Sequence, residues 1–334
     1  MPRMNEVKGS NRLIKLLLIG DSKIGKTHYA GMAAEDGFNL LYMDGDVGAQ
    51  TLSLLSQAAQ ERIYYMQVGD SIGNGLRAPR FRDLFAEFTT SIKFKWNDDE
   101  QRLAKASDNA TKWEIIPGRM DESVILVLDS WTALVESIML HCANQIGVDL
   151  SNASTSEMRP VYQSSGIMAT AFLQTIRSAP CHVLVIAHPD EFSHTIKPDG
   201  RKVKDIKETD LIIDWTKLIP RSTSKPHGMQ LGKYFTDVGW LELSPAGDKR
   251  VVNFKAKNDR VVGGHFQGVA SSDEYSFANL VKLVGGQIPT NHDTDKWLTI
   301  IPPGEEKIAE SKVLDGTSAQ PVKGMAQMFG KKSG

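Results

Sequence analysis

At 334 residues the chain is long enough to bury a sizeable core, and its 41% hydrophobic and 24% charged residues are those of an ordinary soluble globular protein. With 39 basic and 40 acidic residues the formal charge is -1, so overall charge carries no polyanion-binding signature and any nucleic-acid contact must come from a local patch. Cys142 and Cys181 form no C-x-x-C pair, which argues against a disulfide scaffold or a zinc site and fits a reducing compartment. The N-terminal MPRMNEVKGSNR lacks the apolar centre of a signal peptide, and no segment approaches the roughly 18 continuous apolar residues of a membrane span. A cytoplasmic protein without membrane contact is expected.

Residues 1–11 read as a short extension, and RLIKLLLI (12–19) as a buried strand. It runs into IGDSKIGKT (19–27), followed from Lys26 by a helix that Gly37 closes. FNLLYM (38–43) is a second strand ending in DGD, residues 49–62 carry leucines at helical spacing, and IYYMQV (63–68) is a third strand. FRDLFAEFTTSI (81–92) reads as an amphipathic helix. The segment 93–120, polar in its middle with apolar flanks, breaks the rhythm and reads as a protruding hairpin or insertion.

VILVL (124–128) is a central strand leading through DSW into a helix, residues 159–178 a further helix, and HVLVIA (182–187) the next core strand. After Pro189 loops and hairpins are expected. DVGWLEL and KRVVNFKA flank the turn SPAGD as an antiparallel extension at one sheet edge, and SFANLVKLVGG is a last helix. From 302 to 334 the sequence turns polar and reads as a flexible tail. Length alone would allow two domains. The alternation of short strands and helices instead predicts one α/β domain over 12–301, with a mainly parallel central sheet flanked by helices.

The spacing Gly20-x-x-x-x-Gly25-Lys26-Thr27, between an apolar strand and a helix, is that of a phosphate-binding loop. Its glycines let backbone N–H groups face the phosphates, aided by the positive end of the following helix. Gly20, Asp21, Ser22, Lys23, Ile24, Gly25, Lys26, Thr27 and the adjoining His28 are therefore the candidate ATP-binding residues. Lys26 would reach the β- and γ-phosphates, and the Thr27 hydroxyl would ligate Mg²⁺. A second magnesium anchor is needed at the end of a neighbouring strand, and Asp129 supplies it, a role compatible with capping the next helix.

Hydrolysis further needs a group that orients water. Asp44 and Asp46 end the strand after the loop helix, either for that purpose or to cap the turn that follows. His188 ends VLVIAH at the same carboxyl edge, where ligands bind in open α/β sheets.

The order of these pieces resembles the ATPase core of the RecA-like recombinases, a group of RecA-like P-loop NTPases, over roughly residues 12–265. YMDGD is similar to that family's Asp-x-Glu motif, which implies that Asp46 is the catalytic base, with an arm shorter than glutamate. VILVLDSWTALV resembles its magnesium strand, and His188 stands where the family has a γ-phosphate sensor. Lys257, in the pair Lys257-Asn258, is similar to a lysine that reaches into the ATP of a neighbouring subunit. Among such proteins a chain with this little sequence ahead of the core resembles the short phage AAA-family ATP-binding proteins, some of which act as single-strand annealing recombinases.

The resemblance implies Mg²⁺-dependent ATP hydrolysis, assembly into homo-oligomeric rings or filaments, and action on single-stranded DNA. Its two DNA loops would fall near Arg159 and after His188, where Lys197, Arg201, Lys202, Lys204 and Lys207 outnumber Asp199 and Asp205. A solvated hairpin around KPDGR reads equally well there, and the stretch has Phe192 but no interleaved run of Phe, Tyr or Trp. A docking role for the tail tip, with Met325, Met328 and Phe329 among lysines, towards a replication protein stands beside that of an unstructured terminus. Two other functions fit the same core: a helicase-type motor, and a nucleotide-switched binding protein with little turnover.

Overall fold

The structure is a computed structural model that describes residues 13–46, 48–67, 103–106, 112–196, 212–255, 259–290 and 294–301. Outside the described residues lie the segment 1–11, the expected helix 81–92, parts of the 93–120 insertion, Lys197, Arg201, Lys202, Lys204, Lys257, Asn258 and the tail 302–334.

Strand β1 (Lys15–Ile19) is buried along its whole length, as a central strand covered on both faces must be. So are β2 (Asn39–Asp44), β6 (Val124–Asp129) and β7 (His182–Ala187). With β3 (Ile63–Gln67), β10 (Asp237–Leu243), β11 (Arg250–Asn253) and β12 (Val269–Ser271) they form one sheet in the order β12-β11-β10-β1-β7-β6-β2-β3. From β10 to β3 every neighbouring pair is parallel, whereas β11 and β12 add an antiparallel edge. The expected edge hairpin is there, with one refinement: β10 extends the parallel sheet beside β1 before the chain turns back.

Helices cover both faces. On one lie α1 (Lys26–Glu35) and, later in the chain, α6 (Phe277–Leu283), with Tyr29, Phe38 and Phe277 in the buried layer. On the other lie α3 (Trp131–Ile146) and α4 (Thr155–Arg177), packed through Trp131, Phe172 and Leu173. The start of α4 lies upstream of the expected 159, because Ser154 and Glu157 form a capping box there and Pro160 is accommodated inside the helix.

Residues 49–62 are not one helix. A 3₁₀ turn over Ala49–Leu54 stops at Leu55, and Ser56 caps a new short helix α2 (Gln57–Gln60) while also bonding the Glu35 carboxylate. The break lets Leu52 and Leu55 both close on Gly31 of α1, where a Cβ would stand 2.8 and 2.9 Å from them.

The 93–120 region contains the hairpin β4 (Leu103–Ala106) and β5 (Lys112–Ile115). A strand not expected from sequence, β13 (Leu298–Ile301), joins β5 and makes a three-stranded sheet. Trp297 anchors that return, buried and edge-on to Tyr64 at 5.4 Å. Past Pro189 the chain forms a two-stranded hairpin of β8 (Pro189–Ile196) and β9 (Ile212–Pro220), followed by α5 (Lys225–Gln230). Cys142 and Cys181 are free and buried. Among the described residues no helix is long and apolar enough to cross a membrane.

Candidate nucleotide site

The parallel register brings four strand ends together. Ile19 of β1 pairs with Ala187 of β7, Asp129 of β6 with Ile186, and Asp44 of β2 with Asp129. The phosphate loop, the acids after β2, Asp129 and His188 therefore emerge side by side at one carboxyl edge. The loop, Asp46, Asp129 and His188 border a cavity of about 900 Å³, at the large end of the range for small-molecule sites.

The loop wraps as its spacing requires. Gly25 sits at φ 102°, a left-handed conformation open to glycine, and the chain enters α1 at Lys26. Lys26 is buried and lies across its own loop, donating to the carbonyls of Gly20 at 2.8 Å and Asp21 at 2.7 Å. Burial pulls its ammonium below the ordinary lysine range, opposed by the charges of Asp129, Asp46 and Asp21.

Asp129 is 3% exposed, and its Oδ2 accepts two hydroxyl protons, from Thr27 at 2.7 Å and from Tyr42 at 2.6 Å. Burial raises its carboxyl pKa, the two hydroxyls oppose that rise, and Asp46 and Asp44 add to it. A buried carboxylate beside a threonine hydroxyl is a hard-oxygen pair suited to Mg²⁺, which keeps water and phosphate in its remaining positions. Among the described residues no group of three or more His, Cys, Asp or Glu side chains offers an all-protein metal cage.

Asp44 is fully buried at the end of β2; its Oδ1 accepts the Asp46 N–H and its Oδ2 the Tyr65 hydroxyl. Of the two acids Asp44 is thus the structural one, and Asp46 faces the cavity. Asp46 Oδ2 lies 3.3 Å from His188 Nε2. Burial pushes the Asp46 carboxyl up, but the hydrogen bonds from His188 and Ser130, with the charge of Lys26 behind them, outweigh it and hold the pKa below the usual carboxylate range. His188 is held at both ends of its backbone: its N–H donates to Thr132 Oγ1 at 3.0 Å, and its carbonyl accepts the Arg221 N–H at 2.9 Å.

Asp46, His188, Asp129, Thr27 and the loop thus meet in one site. Arg159 does not join them: it is exposed in the first turns of α4. Lys257 and the four basic residues after Ile196 lie outside the described residues. Sequence reasoning missed Tyr42, although strand alternation puts it on the same face as Asp44. It also missed the pair Arg221–Glu136, 3.0 Å apart at the cavity rim.

A parallel sheet with this strand order, carrying a phosphate loop on one strand and a buried aspartate two strands away, defines an α/β P-loop NTPase. The family model described as an AAA domain matches residues 12–259, and the chain belongs to that family. A search of curated proteins finds no match. AAA-type ATPase domains bind and hydrolyse nucleotides, which is the coarse activity of this chain.

Proposed function

We propose that the protein binds Mg·ATP, hydrolyses it slowly, assembles with copies of itself, and acts on single-stranded DNA in strand annealing or recombination of the phage type. The observation that carries this reading is the rooting of the β8–β9 hairpin. Its first strand begins at Pro189, directly after the histidine that touches Asp46, and its second strand returns to Arg221, bonded back to the His188 carbonyl. A change at the γ-phosphate end of the cleft would therefore move the base of a projecting hairpin.

That hairpin also carries rings that single-stranded DNA could use. Pairing of His194 with Trp215 stacks their rings at 5.2 Å and 7°, and Phe192 lies 5.4 Å from the same indole. Phe192 thus belongs to an aromatic cluster drawn from two strands, and Trp215 is exposed enough for base stacking.

In this reading Lys26 and the loop N–H groups bind the triphosphate, and Thr27 with Asp129 would hold magnesium, which supplies charge neutralisation at the phosphate oxygens. Asp46, ionised well below neutral pH, orients the attacking water as an acceptor and is a weak proton acceptor. His188 couples that carboxylate to the hairpin. The engagement of Asp46 by His188 favours a second reading, a nucleotide-switched DNA binder with little turnover. ATP hydrolysis measured with and without single-stranded DNA, beside annealing of complementary oligonucleotides, decides between them. Stimulated turnover with annealing supports the first, annealing without turnover the second, and neither DNA binding nor stimulation overturns both.

A further inference from the structure

The phosphate loop is closed on its outer side by an arginine that belongs to no motif. Arg250 opens β11, opposite Leu243 of β10, and its side chain crosses to the loop. A Cβ built on Gly25 would stand 2.7 Å from Arg250 Nε, 3.0 Å from Cζ and 3.2 Å from Cδ. Gly25 is required for its positive φ, and the guanidinium lies in the space its missing side chain leaves open.

The base of Arg250 is fixed. In the turn before it the Ser244 N–H donates to the Lys249 carbonyl, the Gly247 N–H to the Ser244 carbonyl and the Ser244 hydroxyl to Asp248. The Arg250 carbonyl accepts the Ser272 N–H from the far side. Among the described residues Arg250 takes part in no ion pair, whereas Arg260 on the same edge is bound to Glu242 and Asp259. Arg250 borders both the cavity that holds Lys26 and Asp129 and an adjoining one of about 570 Å³ beside α1. A cation held by a rigid hairpin against a loop whose N–H groups and lysine already favour an anion has one economical use, because the planar guanidinium fork matches phosphate oxygens.

We propose that Arg250 is a further phosphate-binding residue of the nucleotide site, supplied from within the same chain by the antiparallel edge of the sheet. The inference rests on the reading of this cleft as a nucleotide site. The edge extension then acts as the outer wall of the phosphate loop rather than as a mere addition to the sheet.

The test is binding, not turnover: fluorescence titration with mant-ATP, and its displacement by inorganic tripolyphosphate. Arg250→Ala should weaken both by about tenfold. Arg250→Gln, which keeps length and removes charge, should do the same and serves where circular dichroism shows the alanine variant destabilised. Unchanged affinity in a folded variant overturns the proposal. So does a loss seen with mant-ATP but not with tripolyphosphate, which would put the guanidinium on the nucleoside. Lys26→Ala separates the two levels. If it leaves mant-ATP binding intact, the nucleotide site itself is misassigned; if it abolishes binding while Arg250→Ala changes nothing, only the role of Arg250 fails.

Discussion

The phenol of Tyr42 and the hydroxyl of Thr27 converge on one oxygen of Asp129, at 2.6 and 2.7 Å. Tyr42 comes from the neighbouring strand and is fully buried, so the carboxylate is aimed by a group that cannot itself reach the cavity. Such outer partners set the geometry of metal ligands.

Tyr42→Phe should therefore weaken magnesium-dependent nucleotide binding while the fold survives. A hydrogen bond to a charged group contributes about 1.5–3 kcal/mol, and part of that will appear as lost stability. The apparent Mg²⁺ requirement for mant-ATP binding should rise several-fold, with binding restored at high Mg²⁺. An unaltered Mg²⁺ titration would show that Thr27 alone orients the carboxylate.

Asp46 and Asp44 can be told apart by the same logic. Asp46→Asn should leave mant-ATP affinity within about threefold and lower steady-state hydrolysis by about 10², because the neutral amide orients the attacking water without the charge of a carboxylate. Asp44→Asn should instead act on stability, since that carboxylate is buried and holds the Asp46 backbone and the Tyr65 hydroxyl. Equal turnover in Asp46→Asn and wild type would return Asp46 to the role of a turn cap.

The parts of the site that were legible in the sequence share one property: each is signalled within a few consecutive residues. An apolar run ending in Asp129 or His188 already places that residue at the carboxyl edge of a parallel sheet, and the phosphate loop carries its own spacing. Arg250, Arg221 and the Trp215–His194 stack are different. Their positions depend on register between strands that the sequence alone leaves free to slide. The split of residues 49–62 was hidden for a related reason: Ser56 reads equally well inside a helix or at its cap until Glu35 is seen beside it.

The hairpin stack makes a prediction about DNA. Base stacking on an aromatic ring is worth about 1–3 kcal/mol, so Trp215→Ala should weaken binding of a labelled oligo-dT by at least fivefold in anisotropy at fixed salt. Basal hydrolysis without DNA should be little changed. His188→Ala should leave DNA affinity without nucleotide close to wild type but remove its dependence on ATP. If Trp215→Ala binds oligo-dT as well as wild type does, the hairpin rings face something other than bases.

At the other end of the sheet, His182 should weaken the fold in acid. It is 2% exposed between Phe38 and Phe277, and its Nδ1 accepts the Ile14 N–H, which leaves the ring proton on Nε2. Burial, reinforced by the charge of Lys15, lowers its pKa from 6.5 to about 3. The unfolded chain therefore takes up a proton below pH 6.5 that the folded chain refuses until about pH 3, and stability must fall as pH falls through that window. Each pH unit inside it costs about 1.4 kcal/mol, hence roughly 2 kcal/mol between pH 6.5 and 5, where most carboxylates are still ionised. His182→Asn keeps an acceptor for Ile14 and removes the titration. Denaturant unfolding at both pH values should show the wild type losing that stability while the variant holds nearly level; parallel losses would assign the acid sensitivity to the carboxylates instead.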